Sequence, residues 1–154
     1  MNRKINIILG LVCSVLAIVA VLFGFGYAFS DAIGDTYYEG LSLFQTIFGS
    51  TTYNHSPVGG LIAAFVLQLI AILTAVLAAA TQSKLASIFY GVTAILLAVA
   101  AILFLNTMNF FNMANPGQSL PSDEQLGFGT VCTVIFSFIP AALCAYGAYS
   151  NFKS

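Results

Sequence analysis

Polar and apolar positions divide the chain into four long apolar runs separated by polar stretches. The central pair is the clearest: residues 61–80 and 85–105 carry no charge and are joined only by Thr81, Gln82, Ser83 and Lys84. Each run is about 20 residues, which at about 1.5 Å per helical residue spans the roughly 30 Å hydrocarbon core of a bilayer. The pattern therefore predicts two membrane-crossing helices with a tight turn at 81–84. A further run extends from Ile5 to Phe29 behind the basic pair Arg3 and Lys4, and the last from Leu126 to Tyr149. The first exceeds the about 7–15 apolar residues of a signal-peptide core, so it is expected to be a retained span. The expected spans are 5–29, 59–80, 85–105 and 126–149. Together they make an all-α fold: an integral membrane four-helix bundle, antiparallel and up-down, forming one domain over 1–154.

The connections carry further pattern. In the first external loop, 30–57, Leu41, Phe44, Ile47 and Phe48 fall at i, i+3, i+6 and i+7 between Gly40 and Gly49. That spacing predicts a short helix lying in the interface or over the bundle mouth. Leu41, Phe44 and Phe48 are accordingly candidate interaction residues. The second external loop, 106–125, is rich in Asn, Pro, Gly and Ser, with Phe110, Phe111 and Met113 expected at the membrane interface. Pro140, near the middle of the last span, is expected to kink it.

Within lipid, helices associate through close packing of small residues and through hydrogen bonds. Ala64, Gln68, Ala71, Ala75 and Ala78 recur at spacings of four and three on the second span, and Ser87, Gly91, Ala94, Ala98 and Ala101 on the third. These stripes are expected to face each other as a helix-packing seam, with Ala78 beside Ser87 and Ala71 beside Ala94. Gly10, Ser14, Ala17 and Gly24 form a weaker stripe on the first span, and Thr130, Ser137, Ala141, Cys144 and Ala148 one on the last. Gln68 is the strongly polar side chain near mid-span, expected to hydrogen-bond Thr74, Thr93 or Ser137 or to line a pathway.

Charge adds orientation. Arg3, Lys4, Lys84 and Lys153 fall on one side of a four-span arrangement, and Asp31, Asp35, Glu39, Asp123 and Glu124 on the other. The positive-inside rule makes the basic side cytoplasmic, with both termini there and the bundle in the plasma membrane. Tyr27, Tyr37, Tyr38, Tyr53 and Tyr149 are the expected interfacial anchors, since Trp is absent.

Composition removes whole classes of function. With 60% hydrophobic and 6% charged residues the chain departs from soluble domains, where about 25% charged is typical. Four basic residues supply no face for nucleic acid. Cys13, Cys132 and Cys144 lie inside apolar runs and read as small packing residues, with palmitoylation of Cys13 or Cys144 the alternative. His55 stands alone in the first loop, so no metal site and no cofactor is expected. Adjacent Asp123 and Glu124 do not flank a substrate atom, and with Ser122 they read as loop or as a start signal for the last helix. Neither GxSxG, P-loop, HExxH nor GxGxxG occurs, and no enzymatic activity is expected. The resulting expectation is a non-catalytic interaction or accessory protein, with the lipid bilayer and another membrane protein, or a second copy, as partners. The alternative is a small transporter or channel protomer acting as an oligomer.

Overall fold

A computed structural model describes residues 2–26, 28–31, 42–49, 56–115 and 124–153. The elements run α1 (Arg3–Leu22), a 3-10 turn (Phe23–Phe25), β1 (Phe29–Asp31), α2 (Leu43–Phe48), α3 (Gly59–Ala80), α4 (Ser83–Leu105), α5 (Thr107–Ala114), β2 (Glu124–Leu126) and α6 (Phe128–Lys153). Four of these helices are long and apolar enough to span a membrane, which fits an integral membrane protein. They pack as an all-α four-helix bundle. In it α1 touches α3 and α6, and α4 touches α3 and α6, leaving α1 diagonal to α4 and α3 diagonal to α6.

Two span boundaries differ from expectation. The first run leaves helical geometry at Leu22 and ends as strand β1, which pairs antiparallel with β2 so that Phe29 lies opposite Leu126. Glu124 is therefore part of a strand and not a helix start. The strands are brought together by glycine: a Cβ added to Gly129 would come within 2.6 Å of the Gly26 carbonyl carbon. Such an approach of two backbones needs residues without side chains.

The first half of the expected second loop is helical. α4 breaks at Asn106, whose side-chain amide donates to the Ile102 carbonyl at 2.9 Å, while the Thr107 hydroxyl donates to the Phe104 carbonyl. These side-chain bonds compete with the backbone ladder and end one helix where the next begins. α5 then buries Thr107 and Phe111, four residues apart, against the bundle mouth. Phe111 is thus a core residue, whereas Phe110 is half-buried and Met113 exposed. α6 continues helical through Pro140 and on to Lys153, past the expected end at Tyr149.

The buried faces follow a heptad-like spacing. On α1 it comprises Asn6, Gly10, Cys13, Ser14, Ala17 and Ala20, and on α3 Leu61, Ala64, Gln68, Ala71, Ala75 and Ala78. On α4 most of the buried face lies one residue round from the expected stripe: Ala86, Tyr90, Thr93, Leu97, Ala100 and Phe104 are buried, while of the expected positions Ala101 is buried and Ser87, Gly91, Ala94 and Ala98 are half-buried. Volume explains the displacement. A bundle centre lined mostly by small residues on three sides must be filled to native density by the fourth, and Tyr90, Leu97 and Phe104 do this. A Cβ on Gly91 would meet nothing within 4 Å. Gly91→Ala is therefore expected to raise stability by about 0.5–1 kcal/mol through helix propensity alone. Thermal unfolding in detergent, read by a thiol-reactive dye at buried Cys13 and Cys144, measures it; a lowered midpoint would contradict the open site.

Candidate functional site

Among the described residues, polar side chains gather inside the bundle at mid-span and at its two ends. Midway, Gln68 is buried on α3 and its Nε2 donates across the diagonal to Ser137 Oγ on α6 at 3.0 Å. Nearby, the Thr74 and Thr93 hydroxyls share a 2.6 Å hydrogen bond between α3 and α4, and Thr93 also donates to the Phe89 carbonyl. Of the expected Gln68 partners the structure selects Ser137, because a diagonal contact requires a long side chain reaching a short one. Thr74 opposite Thr93 sets the α3–α4 register two residues away from the pairing of Ala71 with Ala94.

The second group closes the basic end. Asn6 donates from Nδ2 to the carbonyls of Ala78 and Thr81, both at 3.0 Å, and its Oδ1 accepts from Asn151 Nδ2 at 3.0 Å. Asn151 also donates to the Gly147 carbonyl at 2.8 Å. The Tyr90 hydroxyl donates to the Asn6 backbone carbonyl at 2.7 Å along the other diagonal. All four long helices are thereby joined through one residue, with Asn6, Tyr90 and Asn151 all buried. The sequence signal is one Asn near the outer end of each of the two outermost apolar runs. An Asn at a span end has the same composition as an ordinary boundary, so Asn6 and Asn151 stayed inconspicuous. Beside this knot lies a polar cavity of about 60 Å³, lined by Arg3, Asn6, Gln82, Ser83 and Asn151. The α3–α4 turn that borders it is two residues, Thr81 and Gln82, and places Ser83 at φ 58.

The third group closes the opposite end. α2 begins in a capping box: Ser42 Oγ accepts from the Gln45 N–H at 3.1 Å and Gln45 Oε1 from the Ser42 N–H at 3.0 Å. Its end is Gly49 at φ 86, a left-handed position that glycine adopts without strain. The Leu43 N–H donates to the Gly26 carbonyl and the Val58 N–H to the Ile47 carbonyl, so both ends of α2 are tied down. Leu43 and Ile47 are buried with Leu61, Phe104 and Phe111. Phe44 packs edge-on against Phe25 and Phe65, while Phe48 is 48% exposed. Asn115 clamps the adjoining chain, its Oδ1 accepting from the Ser56 N–H at 2.7 Å. Leu41, His55 and Asp123 lie outside the described residues.

No family model, curated protein or solved structure matches the chain. Among the described residues no group of three His, Cys, Asp or Glu could hold a metal. Cys13 and Cys144 are buried in one cluster with Ala75, Ala78, Ala86 and Tyr90, and the Cys13 thiol approaches the Pro140 carbonyl at 3.9 Å. That location suits packing and closes off acylation. Tyr149, 63% exposed, carries Lys153 Nζ 5.7 Å from its ring centroid, a cation–π contact at the last turn of α6.

Proposed function

We propose that this is a non-catalytic accessory protein of the membrane, which engages another membrane protein through the end of the bundle that bears α2 and α5. The observation that supports the reading most is the pairing of the interior polar groups with one another. Gln68 with Ser137 and Thr74 with Thr93 are the side chains a pathway would use, and each is held in an interhelical hydrogen bond. Transport along such an axis would need those groups to exchange partners with solute or water, and no charged side chain lies mid-span to drive it. The end bearing α2 and α5 presents large apolar side chains to its surroundings: Phe25 and Met113 are more than three-quarters exposed, and Phe128 is 67% exposed.

The test combines two measurements. Crosslinking in native membranes is expected to capture a stoichiometric membrane protein whose yield falls severalfold in a Phe25→Ser, Phe48→Ser double variant. Liposomes containing the pure protein are expected to remain tight to ions and small solutes. Solute flux above that of empty vesicles would replace this reading with that of an oligomeric transporter or channel.

A further inference from the structure

The cavity beside the Asn6 knot is placed and charged for a ligand of its own. We propose that it binds the phosphate of an anionic phospholipid headgroup, with Arg3 as the principal contact. The site lies at the end of the bundle opposite α2 and α5, and does not depend on the accessory reading.

Depth is the first argument. α1 runs 20 residues from Arg3 to Leu22, and at about 1.5 Å per residue this matches the roughly 30 Å hydrocarbon thickness. Arg3 therefore sits at headgroup level when α1 crosses the bilayer. Charge is the second. Lys4, Lys84 and Lys153 occupy the same end, on the first turns of α1 and α4 and the last turn of α6. All five carboxylate residues lie between 31 and 39 or at 123–124, and the β1–β2 pair places Asp31 and Glu124 at the far end. Among the described residues no carboxylate side chain lies at this end to oppose an anion.

Shape is the third argument. The floor consists of Asn6 and Asn151, each 2% exposed and fixed by interhelical hydrogen bonds, so its form is set by the fold. Arg3, Gln82 and Ser83 are exposed and form the mouth. The guanidinium offers paired donors matched to two phosphate oxygens, and Gln82 and Ser83 add a neutral amide and hydroxyl. A volume of about 60 Å³ holds a few water-sized groups, the scale of a phosphate rather than a sugar or nucleotide. A basic recess between membrane helices is the setting in which phosphate headgroups are recognised.

The experiment uses the intact protein in mild detergent, titrated with dioleoylphosphatidylglycerol, dioleoylphosphatidylcholine or inorganic phosphate. Native mass spectrometry and thermal unfolding are the readouts. One phosphatidylglycerol per protein is expected, with a raised unfolding midpoint, and Arg3→Gln is expected to weaken it about tenfold, the loss of a charge-assisted hydrogen bond. Lys4→Gln removes the same charge one residue away, outside the cavity lining, and is expected to leave affinity within about twofold, the size of a screened surface charge. Equal weakening by both variants, or phosphatidylcholine bound as tightly as phosphatidylglycerol, would overturn the site. Inorganic phosphate bound as tightly as the lipid would overturn the headgroup as its occupant.

Discussion

Gly10→Leu is expected to lower the thermal midpoint of the bundle by roughly 6–12 °C, the equivalent of about 3 kcal/mol at this chain length. The geometry leaves no alternative accommodation. A Cβ at residue 10 would stand 2.5 Å from Ala79 Cβ, 2.8 Å from Ala79 Cα and 2.9 Å from Ala79 N. Two of those three atoms are backbone, which cannot rotate aside, so α1 and α3 must move apart along their contact. Gly10→Ala reports the same contact with a single methyl and should cost less. An unchanged midpoint for Gly10→Leu, measured in detergent with the dye that labels newly exposed Cys13 and Cys144, would show that the helices do not touch there.

Asn6→Leu carries the second large effect. The side chain is nearly the same size, so packing is preserved while three hydrogen bonds disappear: those to Ala78 O and Thr81 O and that from Asn151 Nδ2. Interhelical hydrogen bonds in membranes average about 0.6 kcal/mol each, which predicts a loss of about 2 kcal/mol and a midpoint lower by roughly 4–8 °C. Asn151→Leu removes the bond to Asn6 Oδ1, whose loss alone is about a third as large. If Asn6→Leu is as stable as the parent, the knot does not hold the four helices together.

Sequence alone revealed the spans because the length of an apolar run is a one-dimensional property, read directly at 61–80 and 85–105. It placed the buried stripe of α3 equally well, since alanine and Gln68 alternate there with bulkier lipid-facing residues such as Leu69 and Leu73. The face of α4 was harder. Whether a helix buries its small or its large residues depends on what its neighbours contribute, and only the assembled bundle shows that α4 supplies the volume. α5 was hidden by Asn106 and Asn112, which resemble loop in composition although Thr107 and Phe111 anchor one helical face. The β1–β2 pair could not be anticipated, because three residues at the end of an apolar run are too short to establish a period. Of the polar groups, Gln68 was conspicuous at mid-span, whereas Asn6 and Asn151 matter only through their meeting, 145 residues apart in the chain.

That separation has a consequence for how the molecule is made. Synthesis at about 5–20 residues per second puts roughly 7–30 s between the emergence of Asn6 and that of Asn151. Throughout the interval the first three spans can be inserted while one amide partner of Asn6 is still missing. Its position at the end of α1, in reach of interfacial water, keeps the waiting side chain solvated rather than stranded in hydrocarbon. Arrival of α6 supplies the missing partner, so a chain stopped short of Asn151 would present an unfinished polar end to the quality-control machinery of the membrane.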